Sequence, residues 1–256
     1  MNRNYANQLQ HPVFKVVAKY ATENNIPAYV IGGYVRDLIL GRPSKDIDIV
    51  VVGDGPAFAG EIAKIMRVKK VSIFQTYGTA HFSYKDLDVE FVGARKESYA
   101  SASRNPTTLA GSLQDDQNRR DFTINAMALN LFGDQFGELI DPFNGVSDIE
   151  NKVLKSPLDP DITFNDDPLR MMRAIRFAAQ LNFRIEHNCL QAIHKNADRI
   201  NIITKERISE ELNKIIVSHQ PSRGFMLLRS TNLLGHIFPE LLALEGIETI
   251  DGKSHK

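Results

Sequence analysis

The sequence predicts an α+β fold in which a small mixed sheet with helices is followed by an all-helical part. Two observations support this prediction. Up to about residue 145, β-branched runs alternate with segments of helical periodicity, whereas beyond it apolar residues recur at helical spacing without a convincing strand. We therefore expect two domains, spanning residues 1–145 and 146–256.

Glycine and proline mark the ends of most predicted elements. In chain order, the first part is expected to hold a helix at 11–24, a strand at 28–31, a helix from Tyr34 to a stop signal at Gly41–Pro43, a strand at 46–52, a helix at 56–67 and strands near 80–84 and 87–92. The helices expected in the second part span 147–152, 168–181, 187–197, 204–217 and 221–234.

The composition is that of an ordinary soluble protein, with 43% apolar and 24% charged residues in 256. Lys and Arg number 31, as do Asp and Glu, so any contact with nucleic acid must be local. The single cysteine, Cys189, excludes an internal disulfide and a cysteine-rich zinc site, which favours the cytoplasm. Residues 1–10 lack the apolar core of a signal peptide, and no apolar run approaches the roughly 20 residues of a membrane span, so no membrane association is expected.

The first candidate constellation combines a glycine turn with an arginine and two acids. Gly32 and Gly33 end a strand, where backbone N–H groups can approach phosphate oxygens, and Arg36 follows one helical turn later. Asp46 and Asp48 alternate along the next strand, so their carboxylates share one face about 7 Å apart. Each feature alone also fits a surface turn or two solvated edge charges, but together they favour a phosphate cradle beside a Mg²⁺ site.

A third carboxylate would complete a two-metal site. The strand near 87–92 offers Asp88 and Glu90 on a shared face, and we favour Glu90.

The second constellation is Arg119-Arg120-Asp121 followed by Asn125. On a helix, Asp121 and Asn125 would share a face, so an acceptor and an amide could bind ribose hydroxyls while the arginines contact phosphates. A charged helix start over an apolar face explains the pattern about equally well.

The third constellation lies at the start of the predicted helix 168–181. Asp167 precedes a proline suited to the first helical turn and could simply be its N-cap. Arg170, Arg173 and Arg176 wind along one side of the helix, as a solvated band would. An Asp one turn from an Arg also offers the acceptor and donor needed to pair with the edge of a nucleobase.

In their order along the chain, these segments resemble the class II tRNA nucleotidyltransferase and bacterial poly(A) polymerase family. The motifs of that family resemble, in turn, GGYVRDLILGRPSKDIDIVVVG from Gly32, RRDFTINA from Arg119, DPFNG from Asp141 and DDPLRMMRAIRF from Asp166. The resemblance covers roughly residues 28–185, continues more weakly through RISEELNKII and LLGHIFPEL, and implies a nucleotidyltransferase-type head followed by a helical neck and body. One departure is Asp166, where the family more often has a glutamate.

The resemblance also implies roles for the motif residues. They are Gly33 and Arg36 for the triphosphate, Asp46 and Asp48 for Mg²⁺, Glu90 as third carboxylate, Arg120 for phosphate, Asp121 and Asn125 for the ribose, Asp167 and Arg170 as a protein template for cytosine or adenine, and Arg173 and Arg176 to orient the site. The implied reaction is CCA addition: the 3′-hydroxyl of tRNA attacks the α-phosphorus of CTP or ATP and pyrophosphate leaves. No protein partner is implied.

Several alternatives remain at this point. Poly(A) polymerases share all four motifs, but they usually carry a G-R-R-F-like signature that residues 75–99 lack. An A-adding enzyme has the same motifs. From other classes, a non-catalytic RNA-binding module would not need the paired acids, and a small-molecule nucleotidyltransferase would lack the segment with Asp167 and Arg170.

Overall fold

The structure is a computed structural model that describes residues 3–75, 78–98, 107–244, 248–250 and 253–255. These residues fold into two compact units, with 3–75, 78–98 and 107–151 in the first and the residues from 152 onward in the second. The first unit runs beyond the expected boundary at residue 145 because the following helix packs within it. Thr123 Oγ1 donates to Asp148 Oδ2 at 2.6 Å, and a Cβ built on Gly145 would lie 2.5 Å from the Thr123 carbonyl oxygen.

The first unit is built on a mixed sheet. Its strands are β1 (Ala28–Ile31), β2 (Asp46–Val51), β3 (Ser72–Phe74), β4 (Thr79–Tyr84), β5 (Leu87–Gly93), β6 (Arg95–Ser98), β7 (Thr107–Ala110), β8 (Ala128–Asn130) and β9 (Leu139–Ile140). Its helices are α1 (Pro12–Glu23), α2 (Gly33–Ile39), α3 (Gly55–Ile65), α4 (Leu113–Asn118) and α5 (Gly145–Glu150). Seven strands form one sheet in the order β3-β4-β5-β2-β1-β8-β9, in which β2 and β5 are parallel and the other neighbours antiparallel. Strands β6 and β7 form a separate two-stranded antiparallel sheet. The predicted mixed sheet with helices is confirmed.

One face of this sheet is apolar and covered by helix α3. Ile47 and Ile49 of β2 are fully buried on it. Phe58 of α3 packs 5.9 Å from Phe91 of β5, which lies 5.5 Å from Phe82 of β4. The alternation of β2 therefore turns its two aspartates to the opposite face, as side chains two residues apart point the same way.

The opposite face is covered only toward the end of β2. Val50 is buried there in a cluster with Ile31, Ala94 and Ala128. The start of the strand has no such cover, since Asp46 is exposed. The acids thus stand where the sheet is open, while the same strand is anchored by its buried end.

The second unit is mainly helical. Its elements are β10 (Val153–Leu154), α6 (Pro160–Asp166), α7 (Leu169–Leu181), β11 (Arg184–Ile185), α8 (His187–Lys195), a 3₁₀ segment (Ala197–Ile202), α9 (Lys205–Ile216), α10 (Pro221–Ser230), α11 (Leu233–Ile237), α12 (Pro239–Leu242), β12 (Glu248–Ile250) and β13 (Lys253–His255). The expectation of no strands after residue 145 is wrong in detail, because β10 pairs in parallel with β11 and β12 with β13. Two or three residues are too few for an alternating pattern to be recognised.

Helix α7 is the central element of this unit. Its buried side includes Met171, Ile175 and Ala178, all at 0% exposure. The single helix expected at 221–234 is instead two, because Asn232 adopts a left-handed conformation with φ of 64° between them. Nowhere in the described ranges is a helix both long and apolar enough to cross a membrane.

Candidate active site

Four carboxylates share the open face of the sheet. Asp46 is exposed and Asp48 is half-buried at the start of β2. The parallel neighbour β5 places Asp88 opposite Asp46 and Glu90 opposite Asp48. Because directly paired residues point to the same side of a sheet, these four side chains form one surface, which we call the acid face.

Asp88 and Glu90 have different surroundings. Asp88 is exposed, accepts a hydrogen bond from Ser83 Oγ at 2.6 Å and lies 3.3 Å from His81 Nε2, and the serine contact lowers its pKa. Burial raises the pKa of Glu90, and the nearby charge of Asp48 raises it further. A carboxylate whose charge is disfavoured in this way gains more from a bound cation. The choice of Glu90 stays a prediction that these surroundings favour.

The acid face has the donor chemistry of a magnesium site. Carboxylate oxygens are the hard ligands that Mg²⁺ prefers, and it usually keeps waters or substrate phosphates as further ligands. A Cβ built on Gly32 would lie 3.2 Å from Asp48 Oδ2, so the missing side chain leaves space beside this oxygen. Within the described ranges no three Asp, Glu, His or Cys side chains already converge closely enough to hold a metal ion. The fit to Mg²⁺ therefore rests on Asp46 and Asp48.

The glycine turn after β1 lies against these groups. Gly32 has φ of 83°, a conformation that side-chain-bearing residues rarely adopt. A Cβ at this position would also come within 2.9 Å of Arg120 Nη1. Glycine thus lets a carboxylate and a guanidinium group approach the same backbone turn. Helix α2 begins here at Gly33, one residue before the expected start.

Arg36 connects the first motif to the second. It is buried, and its Nε and Nη2 donate to the two carboxylate oxygens of Asp37 at 3.0 and 2.8 Å. Its Nη1 donates to Asn125 Oδ1 at 2.8 Å. The fork expected to hold phosphates is thus engaged with protein groups, although Nη2 lies 3.6 Å from a Cβ built on Gly33. Binding of the triphosphate by Gly33 and Arg36 stays a prediction.

The second motif is not the α-helix that the spacing suggested. A 3₁₀ turn covers Thr123–Asn125, and Asp121 precedes it. The two polar residues nevertheless meet, since Asn125 Nδ2 donates to Asp121 Oδ1 at 3.1 Å and both side chains are buried. Phe122 is fully buried beside them. A tight turn with its apolar side in the core replaces the expected helix because Asp121 accepts the Phe122 N–H at 2.9 Å.

Arg120 is held by Asp116, a residue that the sequence analysis did not single out. Asp116 of α4 is completely buried and accepts from Arg120 Nε at 3.1 Å and from both Nε and Nη2 of Arg119. Burial alone would raise the pKa of Asp116, but Arg120 and Arg119 outweigh it and hold the pKa below its ordinary value. Arg120 Nη1 also donates to the Asn125 carbonyl oxygen at 3.3 Å. Asp116 and Arg120 are four residues apart, and this spacing is the sequence feature that could have predicted their ion pair.

In the second unit, Asp167 caps helix α7. Its Oδ1 accepts from the Leu169 N–H at 3.2 Å, and Pro168 has helical dihedral angles. Asp167 Oδ2 also lies 4.0 Å from Arg207 Nη2. Arg170 is half-buried and makes a long contact of 3.5 Å to the Thr163 carbonyl oxygen. The cap explains the position of Asp167, and the pairing of these two residues with a nucleobase stays a prediction.

The three arginines of α7 do not form one solvated band. Arg176 is buried, donates to Glu211 Oε1 at 2.9 Å and stacks on Phe177 at 4.2 Å. Arg173 is half-buried and lies 5.5 Å from the same ring. Arg176 thus joins α7 to α9 within this unit. An orienting role for Arg173 and Arg176 toward a nucleotide stays a prediction.

Comparison with known proteins identifies the family. Residues 28–155, half of the chain, match the family described as "Poly A polymerase head domain", and residues 182–244 match "Probable RNA and SrmB- binding site of polymerase A". The CCA-adding enzyme of Anoxybacillus flavithermus is 38% identical over 216 residues, which cover 84% of this chain and 52% of that protein. The A-adding tRNA nucleotidyltransferase of Aquifex aeolicus is 37% identical over 201 residues, which cover 78% of this chain and 24% of that protein.

The fold is shared with solved structures. A tRNA nucleotidyltransferase complexed with a primer tRNA and an incoming ATP analog has a TM-score of 0.76 and 32% identity, covering 91% of this chain and 63% of that one. The chain spans about a quarter and about half of the length of the two relatives above. It belongs to the family that contains the bacterial poly(A) polymerases and the CCA-adding and A-adding tRNA nucleotidyltransferases.

Proposed function

We propose that this chain carries the catalytic part of a template-independent RNA nucleotidyltransferase that adds C and A to the 3′ end of tRNA from CTP and ATP. The observation that supports this most is the Gly32 turn, against which Asp48 and Arg120 both lie. Nucleotidyl transfer needs cation-binding carboxylates next to a cationic phosphate contact. A module that only binds RNA needs cations but no paired acids, so it is less well supported.

In the proposed reaction, the 3′-hydroxyl of the RNA loses its proton to solvent and its oxygen bonds to the α-phosphorus, while the bond from this phosphorus to pyrophosphate breaks in line. Asp46 and Asp48 would hold Mg²⁺, which when bound supplies a more acidic hydroxyl and charge stabilisation for the leaving oxygens. Arg120 would bind a phosphate oxygen through its charged fork. Asp116 fixes that fork, and Gly32 leaves room for the phosphate. The protein supplies mainly position and charge.

Polar groups suited to nucleoside recognition occur in both units. Asp121 and Asn125 form a buried pair suited to a ribose hydroxyl. At the start of α7, Asp167 offers an acceptor for the exocyclic amine that cytosine and adenine share, and Arg170 offers donors for their ring nitrogen acceptors. This donor and acceptor pattern would reject uracil and guanine, which present the opposite arrangement.

Two rivals come from the same family. The similar relatives include both CCA-adding and A-adding enzymes, so an enzyme that adds A alone is the nearest rival. Poly(A) synthesis is disfavoured because residues 75–99 lack the G-R-R-F-like signature. Residues 76–77 and 99 of that segment lie outside the described residues.

The test is to incubate the purified chain with Mg²⁺, CTP, ATP and tRNA lacking its terminal CCA, and to sequence the products. Addition of C, C and A followed by a stop is expected. A single A or a long A tract would replace the proposal by the A-adding enzyme or the polymerase.

Variants then test the acid face. Asp46→Ala and Asp48→Ala should abolish Mg²⁺-dependent addition without changing the circular dichroism spectrum. Asp134→Ala, the same change at an exposed acid in a surface turn, is the matched control and should add nucleotides normally. Full activity of either alanine variant would remove the proposed mechanism.

A further inference from the structure

A basic cleft opens at the edge of the sheet in the first unit. It has a volume of about 470 Å³, and its walls include Arg67, Lys69, Lys70 and Lys85 together with His81 and Ser83 of β4. Strand β3 pairs with β4 only up to His81, so the outer edge of β4 is open beyond that point. We call this feature the basic cleft.

The basic cleft adjoins the acid face along one side. In the register of β4 and β5, His81 lies opposite Glu90 and Ser83 opposite Asp88. Since directly paired residues point to the same side, His81 and Ser83 continue the acid face. Phe82 and Tyr84 alternate with them along β4 and line the cleft from the other side, so the cleft lies at the edge of the sheet. One strand separates β4 from β2, so the cleft begins about 10 Å from the two aspartates of β2.

The cations of the cleft are exposed and form no ion pair among the described residues. Arg67, Lys69, Lys70 and Lys85 are all exposed. None of the four forms a salt bridge with a carboxylate in the part of the chain that the structure describes. Residues 1–150 as a whole carry 16 Lys and Arg against 18 Asp and Glu. The positive charge is therefore a local property of the cleft.

The end of α3 explains only part of this cluster. A cation near the last turn of a helix is favoured by the helix dipole, which accounts for Arg67. Lys69 and Lys70 lie beyond that turn, and Lys85 lies in the turn between β4 and β5. Arg67 itself has φ of 56°, in a position where glycine is the usual residue, so a long cation is present despite backbone strain.

We propose that the basic cleft binds phosphates of the RNA strand that leads to the 3′ end being extended. The inference rests on the proposed function, because the acid face fixes where that 3′ end must lie. Exposed, unpaired cations bind a phosphodiester backbone by releasing its counterions. The nucleotide triphosphate has Arg120 beside the Gly32 turn, so the cleft serves the strand rather than the nucleotide. Tyr84 adds an aromatic side chain on the side of β4 away from the acid face, with its ring 5.7 Å from Lys85 Nζ and 5.9 Å from the His11 ring.

The test is the salt dependence of RNA binding by the Lys69→Glu/Lys70→Glu variant. Its matched control is Lys15→Glu/Lys19→Glu, which makes the same charge change on the exposed side of α1. Affinities for a short single-stranded RNA and for tRNA lacking CCA are measured by fluorescence anisotropy without nucleotides. The salt slope is the fall of log K with log salt concentration, and each phosphate contact to a single strand contributes about 0.7 to it. Two lost contacts should therefore lower the slope by about 1.4 and weaken binding about 25-fold at 0.1 M salt.

Kinetics separate the strand from the nucleotide. We expect KM for the RNA to rise in the cleft variant while KM for CTP and ATP stays unchanged. A dissociation constant within twofold of the wild type, together with a salt slope that does not fall, would overturn the proposal. An equal loss of affinity in the α1 control would also overturn it. Lys69→Met/Lys70→Met repeats the test without adding negative charge, and it must weaken binding in the same direction.

The inference can fail independently of the proposed function. If the wild-type chain adds no nucleotide to any RNA, yet its RNA affinity depends on Lys69 and Lys70, the proposed function is lost and the cleft remains. If CCA addition proceeds and the cleft variant binds RNA like the wild type, the inference about the cleft is lost and the proposed function remains.

Discussion

Replacing Asp116 by asparagine removes the charge that holds Arg120 at the glycine turn. Asp116 is completely buried, whereas the side chains of Arg119 and Arg120 are 19% and 17% exposed. Removing one partner of a buried ion pair costs about 3–5 kcal/mol. Because both arginines can regain part of their hydration, we expect a smaller loss of about 2–4 kcal/mol in the free energy of unfolding.

The effect should depend on pH in a defined direction. The two arginines keep the folded-state pKa of Asp116 below its ordinary value. Its contribution is therefore complete above the unfolded-state pKa of about 3.9 and is lost as the pH falls through the lower folded-state pKa. The stability difference between wild type and Asp116→Asn should be constant near neutral pH and shrink below about pH 4.

Urea unfolding followed by circular dichroism, repeated from pH 7 to pH 3, measures both effects. Asp134→Asn serves as the control, since that exposed acid has no comparable burial, and it should unfold like the wild type at every pH. A loss for Asp116→Asn below about 0.5 kcal/mol, the range of ordinary surface changes, would refute the buried ion pair. A stability difference between wild type and Asp116→Asn that is as large at pH 3 as at pH 7 would also refute it.

Gly32→Ala should destabilise the chain by about 1–3 kcal/mol, because a backbone with φ of 83° and ψ of −136° is strained for a residue with a side chain and the new Cβ would meet Arg120 Nη1 at 2.9 Å. Gly41→Ala, with φ of 67° and open space around it, shares only the backbone strain, so equal losses in urea unfolding would exclude the contact. Burial raises the pKa of the Cys189 thiol, so a disulfide reagent should modify the native protein at least about 100 times more slowly than the unfolded one, and fast labelling would contradict that burial. Arg170→Ala should relax the choice of nucleotide, so that product sequencing with all four triphosphates finds U or G incorporated; unchanged selectivity would remove the base-recognition role of Arg170.

The local parts of the site could be predicted from the sequence. The alternation of β2 is a property of four successive residues, so it fixed Asp46 and Asp48 on one face before any neighbour was known. The Gly32-Gly33 pair likewise marked the end of β1. Periodicity also located α7 and α9 to within a residue or two. Such features depend on residues a few positions apart, which the sequence displays directly.

Contacts between distant segments could not be predicted in this way. Arg36 meets Asn125, 89 residues later, and Glu90 lies opposite Asp48 because β5 pairs in parallel with β2. Nothing in the spacing of either segment states that pairing. Strands of two residues, such as β10 and β11, exist only because a partner completes their hydrogen bonds.

The sequence by itself determined the fold class, the open aspartate pair and the chemistry that a glycine turn permits. Residue spacing could not distinguish Arg119 from Arg120, which are adjacent and chemically equal; the family resemblance favoured Arg120, and the tertiary structure supplies the physical reason. Arg120 is the one whose Nη1 lies against Gly32, and the buried carboxylate of Asp116 fixes it there. Local patterns follow from the short-range geometry of the backbone, whereas the partners of a buried charge follow from how the chain packs around it.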